Sequence, residues 1–427
     1  MLLTRRILLL GALFSLAALP PFARRSCAGA AREGIYAFFD GNGQAVPDAK
    51  ASAAEIPVVR SASEVSAEAL PPVAFTSDES ISPLLVKAVD GARTSVQLIL
   101  YDFNLSDVLA AIERARGRGV AVQVVLDEGH AFPSKPGSQA GPQIQALLKG
   151  SGIEAKVLRG LNGFGVMHNK IGIFDGRSVE FGSFNWTQSA NTKNYENALF
   201  TTDPKRVVLY QRYWDWIWSN AQPADGPHGA PALSPGPPQA GGKPIGFNGA
   251  SFPPAVFSPG GGTMDMILSA IRASRSTIDI AMFSFTQQEV DDALLERKQA
   301  GVQVRLVVDL SQSRTSPEVI KFLQAKGFDL RLCGGKGGLG VMHNKYAVFD
   351  GALLETGSYN WTKNAEENNF ENADFSDDAP LVSAFAKNFE GLWKAAKPAA
   401  DFPAGEGGGS SSGSGSRPSS FLPKPVR

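Results

Sequence analysis

The sequence predicts an α/β fold written twice: two similar α/β sandwich domains with mixed, largely parallel sheets, related by a pseudo-two-fold axis. Three observations carry this. In each half, short β-branched apolar runs alternate with stretches of helical periodicity, the pattern of βα units. Whole motifs recur at fixed spacing, the mark of internal duplication. A stretch rich in Pro, Gly and Ala, from Pro223 to Gly249, separates the copies as a linker. The length of 427 residues suits two ordinary domains.

Taken in order, the chain opens with Arg5-Arg6, an apolar run from Ile7 to Leu19 and small residues at Ala28-Gly29-Ala30. That order is the order of an export signal, expected over residues 1–30. The run of 13 residues is shorter than the ~20 that a membrane span needs, so an uncleaved anchor is the weaker alternative. Arg5-Arg6 suits either a twin-arginine or a general export signal, and Arg24-Arg25-Ser26 makes Cys27 a poor lipoprotein site. An N-terminal extension is expected at 31–73, a first domain at 74–222, the linker at 223–250, a second domain at 251–400 and a flexible Gly/Ser-rich tail at 401–427.

Within the first domain, Phe75-Thr76-Ser77 opens the unit. A helix follows with Ile81, Leu84, Leu85 and Ala88 on one face. A strand runs from Val96 to Tyr101, and a helix starts near Ser106 as N-cap and stops near Gly117-Gly119. Val120 to Leu126 reads as a buried strand. The second domain repeats this from Phe257-Ser258-Pro259, with Ile278 to Phe283 as its first strand. Early in the repeats the offset is 182, as in Asp127 and Asp309. Later it is 175, as in His168 and His343. The first repeat therefore holds seven extra residues, expected between Ala131 and Pro142, where a longer loop costs little.

Composition narrows the function. Lys plus Arg and Asp plus Glu both count 41, so no overall basic surface argues for nucleic acid. Two cysteines, Cys27 and Cys333, exclude a disulfide framework and a Cys-rich zinc site. Only four histidines occur, and two of them are one repeated position: Gly165-Val166-Met167-His168-Asn169-Lys170 recurs as Gly340-Val341-Met342-His343-Asn344-Lys345. Gly182-Ser183-Phe184-Asn185-Trp186-Thr187 recurs as Gly357-Ser358-Tyr359-Asn360-Trp361-Thr362, and Tyr195-Glu196-Asn197 as Phe370-Glu371-Asn372.

With Val166–Phe174 taken as a strand, His168 and Lys170 share a face. Asp175-Gly176 signals a hairpin turn, and any even-length turn sets Ser183 and Asn185 on that same face. The second repeat gives His343, Lys345, Ser358 and Asn360 likewise. Lysine charge with Ser and Asn donors makes an anion site, and histidine supplies a nucleophile or an acid–base group.

The pattern His-x-Lys, four residues, Asp, six residues, Gly-Ser-x-Asn resembles the signature of the phospholipase D superfamily, complete at both His168–Asn185 and His343–Asn360. The resemblance covers roughly residues 75–220 and 255–395. It implies two phospholipase D-like domains sharing one active site at their interface, without metal or cofactor. One histidine attacks phosphorus to form a phosphohistidine while the other protonates the leaving oxygen, with His168 the expected nucleophile. Lys170 and Lys345 neutralise the phosphate. Glu196 and Glu371 orient histidines across the interface. Ser183, Asn185, Ser358 and Asn360 bind phosphate, and Asp175 and Asp350 are structural turn residues.

The remaining candidates have structural readings. Trp186, Trp361, Met167 and Met342 read as core or site wall. Asp127 and Asp309 read as caps or turns, His130 and His228 as loop residues at the surface, and Cys333 as a buried thiol. The expected function is an exported, periplasmic or secreted phosphodiesterase that acts on phospholipid head groups, with peripheral membrane contact, as a monomer containing an intramolecular pseudo-dimer. The alternatives are a nuclease of the same superfamily, with nucleic acid as partner, and a non-catalytic lipid- or phosphate-binding module.

Overall fold

In the computed structural model, residues 70–401 are described, apart from 136 and 242. The export-signal segment, Cys27, almost all of the N-terminal extension and the Gly/Ser-rich tail lie outside the described residues. The first repeat comprises β1 (Val73–Phe75), α1 (Ser82–Gly91), β2 (Ser95–Leu100), α2 (Ser106–Gly117), β3 (Ala121–Asp127), α3 (Glu128–Ala131) and α4 (Pro142–Lys149). It continues through β4 (Ile153–Leu158), β5 (Lys170–Phe174), β6 (Ser178–Gly182), α5 (Gln188–Thr192), β7 (Asn197–Thr201), α6 (Pro204–Asn220) and β8 (Gln222–Pro223). A two-stranded hairpin, β9 (Ile245–Phe247) and β10 (Ala250–Phe252), ends the linker.

The second repeat follows the same order. Its elements are β11 (Ala255–Ser258), α7 (Thr263–Ala273), β12 (Thr277–Met282), α8 (Gln288–Gln299), β13 (Gln303–Asp309), α9 (Leu310–Thr315) and α10 (Pro317–Ala325). Then come β14 (Asp329–Cys333), β15 (Lys345–Phe349), β16 (Leu353–Gly357), α11 (Lys363–Glu367), β17 (Glu371–Ser376), α12 (Ala379–Ala395) and β18 (Lys397–Pro398).

Each repeat forms one eight-stranded mixed sheet, β1-β7-β6-β5-β2-β3-β4-β8 and β11-β17-β16-β15-β12-β13-β14-β18. The parallel part is the middle, where β2, β3 and β4 run together, as do β12, β13 and β14; the flanking strands are antiparallel. The central strands are apolar on both faces because both faces are covered. Val96, Leu98 and Leu100 pack with α1 and α2, while Ile99, Val125, Ile171 and Ile173 join a second core. That core also takes Tyr210, Tyr213 and Ile217 of α6, Phe385 and Phe389 of α12, and Val307, Tyr346 and Val348 of the other sheet. The two repeats thus share a hydrophobic layer and fall in one compact unit.

Local expectations meet three corrections. Ser106 is the first helical residue rather than the cap; Leu105 caps α2 without a side-chain bond. The strand carrying the histidine starts only at Lys170. Val166 and Met167 make single bridges, to Arg159 and to Phe370 of the other repeat, because the chain is there crossing between partners. The hairpin loop is odd. Asp175 and Gly176 are left-handed, as their sequence suggests, but Phe174 pairs with Ser178, leaving three residues between. The second repeat does the same, with Phe349 paired to Leu353. The extra residues of the first repeat do fall between α3 and α4; in the second repeat Ser316 alone separates α9 from α10. Among the described residues no helix is long and apolar enough to cross a membrane.

Candidate active site

An odd loop reverses parity and by itself sends Ser183 to the wrong face. A β-bulge restores it: the N–H groups of Ser183 and Phe184 both donate to the Asn197 carbonyl, each at 3.1 Å. Glycine is required just before the bulge, since Gly182 has φ 151° and a Cβ there would lie 2.6 Å from the Asn197 oxygen.

The histidines are placed by their own repeat and by the other one. Asp127 caps α3 and also accepts the Met167 N–H at 3.0 Å; Asp309 caps α9 and accepts the Met342 N–H at 2.8 Å. The His168 N–H donates to the Phe370 carbonyl at 3.0 Å and the His343 N–H to the Tyr195 carbonyl at 2.9 Å. The side chains cross in the same way. His168 Nδ1 donates to Glu371 Oε2 at 2.8 Å, and His343 Nδ1 donates to Glu196 Oε2 at 2.9 Å. A carboxylate at Nδ1 fixes that nitrogen as N–H and leaves Nε2 with its lone pair.

Both glutamates are fully boxed. Glu196 accepts Ser183 Oγ at 2.8 Å and Asn194 Nδ2 at 3.1 Å; Glu371 accepts Ser358 Oγ at 2.6 Å and Asn369 Nδ2 at 2.9 Å. This corrects the expected role of the serines. Each hydroxyl also accepts a backbone N–H, from Asn197 and Asn372, so the serines hold the carboxylates rather than face phosphate. Asn185 and Asn360 are half-buried with no side-chain hydrogen bond among the described residues, so their amide N–H groups stay available as donors. Asp175 and Asp350 lie away from the site. Asp175 accepts the N–H groups of Arg93, Thr94 and Ser95, and Asp350 those of Arg275, Ser276 and Thr277.

Lys170 and Lys345 are wholly buried; each ammonium bonds the carbonyl of its own histidine, Lys345 at 2.7 Å, and lies over an aromatic ring, Tyr101 or Phe283. Burial pushes Lys170 down to about 7 and Lys345 to about 8, against the pull of Glu371 and Glu196. Burial likewise takes His168 down to about 4 and lowers His343, opposed by the same carboxylates. Burial alone would raise Glu196 and Glu371, but the facing histidine and lysine outweigh it and hold both below the usual range. Two neutral imidazoles, two anionic carboxylates and two easily recharged lysines therefore meet at the interface.

His130 is not a plain surface residue. It is half-buried, Nδ1 sits 3.1 Å from Asp127 Oδ1, and its ring meets Tyr101 edge-on, which meets His168 in turn. His228 is also half-buried, beside Phe132 and 3.9 Å from Glu128. Trp186, Trp361, Met167 and Met342 are core residues, and burial raises the Cys333 thiol to about 12. Sequence reasoning overlooked Asn194 and Asn369, although they recur at the 175-residue offset two positions before each glutamate. Among the described residues no group of three or more His, Cys, Asp or Glu could hold a metal ion.

The family model described as "Cardiolipin synthase, PLD-like domain" matches residues 85–218 and 267–393, once in each repeat. The chain belongs to the phospholipase D superfamily. It is 32% identical over 156 residues to the mitochondrial cardiolipin hydrolase of Mus musculus, covering 36% of this chain and 68% of that protein. A phospholipase D of Rickettsia bellii is 29% identical over 141 residues, covering 33% of this chain and 65% of that one. Each match thus spans about one repeat of this phospholipase D-like chain. The solved phosphatidylserine synthase of Haemophilus influenzae aligns with both repeats: TM-score 0.62, 12% identity, covering 77% of this chain and 87% of that one. At that identity the likeness shows the two-domain phospholipase D fold.

Proposed function

We propose that this phospholipase D-like protein is an exported phosphodiesterase that hydrolyses phospholipid head groups through a phosphohistidine. The observation that carries the reading is the reciprocal crossing of His168 with Glu371 and His343 with Glu196. Nε2 of one neutral imidazole attacks phosphorus, and its Nδ1–H keeps donating to the carboxylate, which stabilises the positive charge that develops on the ring. The second histidine takes up a proton at Nε2 as the anionic phosphate binds, passes it to the departing oxygen, and then takes one back from the water that attacks the phosphohistidine. Lys170 and Lys345 regain full charge beside the bound phosphate, and Asn185 and Asn360 donate to its oxygens. Both motifs lie in one chain, so a monomer suffices. Membrane contact would bring a lipid phosphate to the site, and export rests on the segment from Arg5 to Ala30.

The test offers purified protein phosphatidylcholine, phosphatidylethanolamine, cardiolipin and single-stranded DNA in parallel. Released head group or phosphatidic acid is expected; cut strands with intact lipid would instead assign a nuclease. His168→Asn and His343→Asn should each lower turnover on the order of 10³-fold or more. Full activity in either variant would sink the two-histidine mechanism.

A further inference from the structure

The repeats are near copies, so their differences at the site are informative. At the 182-residue offset, Tyr101 stands where the second repeat has Phe283, Asp102 where it has Ser284, and His130 where it has Gln312. The seven extra residues fall in the loop after α3, which ends one residue beyond His130. Tyr101 and His130 lie on the wall beside His168, so this divergence touches the site itself.

On that side, Asp127 holds His130 Nδ1 at 3.1 Å, leaving Nε2 bare. His130 and Tyr101 have ring centroids 4.3 Å apart, and Tyr101 and His168 4.7 Å. Neither the Tyr101 hydroxyl nor His130 Nε2 has a hydrogen-bond partner among the described residues, and both rings are only half-buried. Both atoms can pair with a hydroxyl, as donor or acceptor. Burial and Lys170 pull His130 down, but its bond to Asp127 and the charges of Asp127 and Asp102 outweigh them and raise it, so Nε2 can donate when protonated and accept when not.

We propose that Tyr101 and His130 form a hydroxyl-recognition subsite, on the first-repeat side only, for a polyol alcohol esterified to the substrate phosphate. This rests on the phosphodiesterase reading and sharpens its substrate class to glycerol-like esters. A site built to bond a hydroxyl discriminates against the analogue that lacks it, because its own polar groups are then left unpaired. At the position matching Tyr101 the second repeat has Phe283, which carries no hydroxyl, and Gln312 replaces the imidazole.

The test is calorimetric binding of sn-glycerol 3-phosphate and of propyl phosphate, which share the phosphate and differ in the two hydroxyls. Wild-type protein should bind the glycerol ester about tenfold more tightly, the yield of roughly one good hydrogen bond. Tyr101→Phe and His130→Phe should each bring the two esters within about twofold of one another. Tyr101→Phe installs the residue that the second repeat carries at this place, so it serves even if His130→Phe does not fold. Equal binding of the two esters by wild type overturns the subsite and leaves the phosphate site standing, as does a preference that survives both substitutions. Binding of neither ester by wild type overturns the phosphodiesterase reading together with the subsite.

Discussion

Lys170 and Lys345 show how one residue type is tuned by place. Each is wholly buried, with a histidine carbonyl as its near partner, so each gives up its proton more readily than a lysine in water. With Lys170 down to about 7 and Lys345 to about 8, the empty site is losing positive charge just above neutrality. A bound anion favours the charged form, so binding and protonation are linked. Protons are taken up on binding, and affinity falls as pH rises through these values. Sulfate keeps a constant charge over this range and so isolates the protein's own titration. Its inhibition constant should rise about tenfold per pH unit once one lysine must be recharged on binding, and more steeply where both must. Inhibition by sulfate measured from about pH 6 to pH 9 checks this; an affinity constant across that span would mean the lysines keep their charge without ligand.

At the level of the element, Asp175 ties the loop after β5 to the start of β2 by accepting three backbone N–H groups and the Thr94 hydroxyl. It holds its carboxyl below the usual range through those bonds, although burial pushes the other way. Asp175→Ala should therefore cost about 1–3 kcal/mol of stability, seen as a lower urea midpoint, with turnover per folded molecule retained. A variant equally stable but inactive would move Asp175 into the chemistry. This role was legible in Asp175-Gly176 only as a turn. The donating backbone at Arg93–Ser95 lies about eighty residues earlier, and nothing local in the sequence announces it. The strands, the helices and the position of the insertion were readable because apolar periodicity and repeat offsets are local or self-comparing signals. The histidine, lysine and glutamate set was readable for the second of these reasons. Loop parity was not: Arg177 adds a residue to a two-residue turn signal, and the bulge at Ser183-Phe184 then compensates. The two departures cancel, so a face assignment resting on neither still put Ser183 beside the site, though against Glu196 rather than phosphate.

At the scale of the whole molecule, duplication explains the crossed pairs but not what holds the repeats in register. Where the first repeat has Phe181 and Leu199, the second has Thr356 and Asp374, so the shared layer is polar here. There Arg206 of α6 pairs with Asp374 of β17, and Tyr210 donates to Asp374 at 2.6 Å. Asn372 bridges Tyr210 and Asp374 at 3.0 and 3.1 Å and accepts Asn169 Nδ2 at 3.2 Å. The network thus runs from a helix of one repeat to the residues beside Glu371 and His168. Burial raises the Asp374 carboxyl overall, although Arg206 pulls it down, so its charge depends on that partner. Arg206→Leu strands a buried carboxylate, which should cost about 3–5 kcal/mol near neutral pH. Without the arginine the folded state binds its proton more tightly than the unfolded chain does. Stability of the variant must then fall as pH rises above the ordinary aspartate value and recover as pH drops. Arg206→Leu with Asp374→Leu removes both charges and should regain most of the loss, as apolar replacements of buried pairs do. Urea unfolding of the three proteins at about pH 4.5 and pH 7.5 decides it. A deficit that ignores pH, or a double variant no better than the single, would show that packing around α6, and not this ion pair, sets the register that brings each glutamate to the other repeat's histidine.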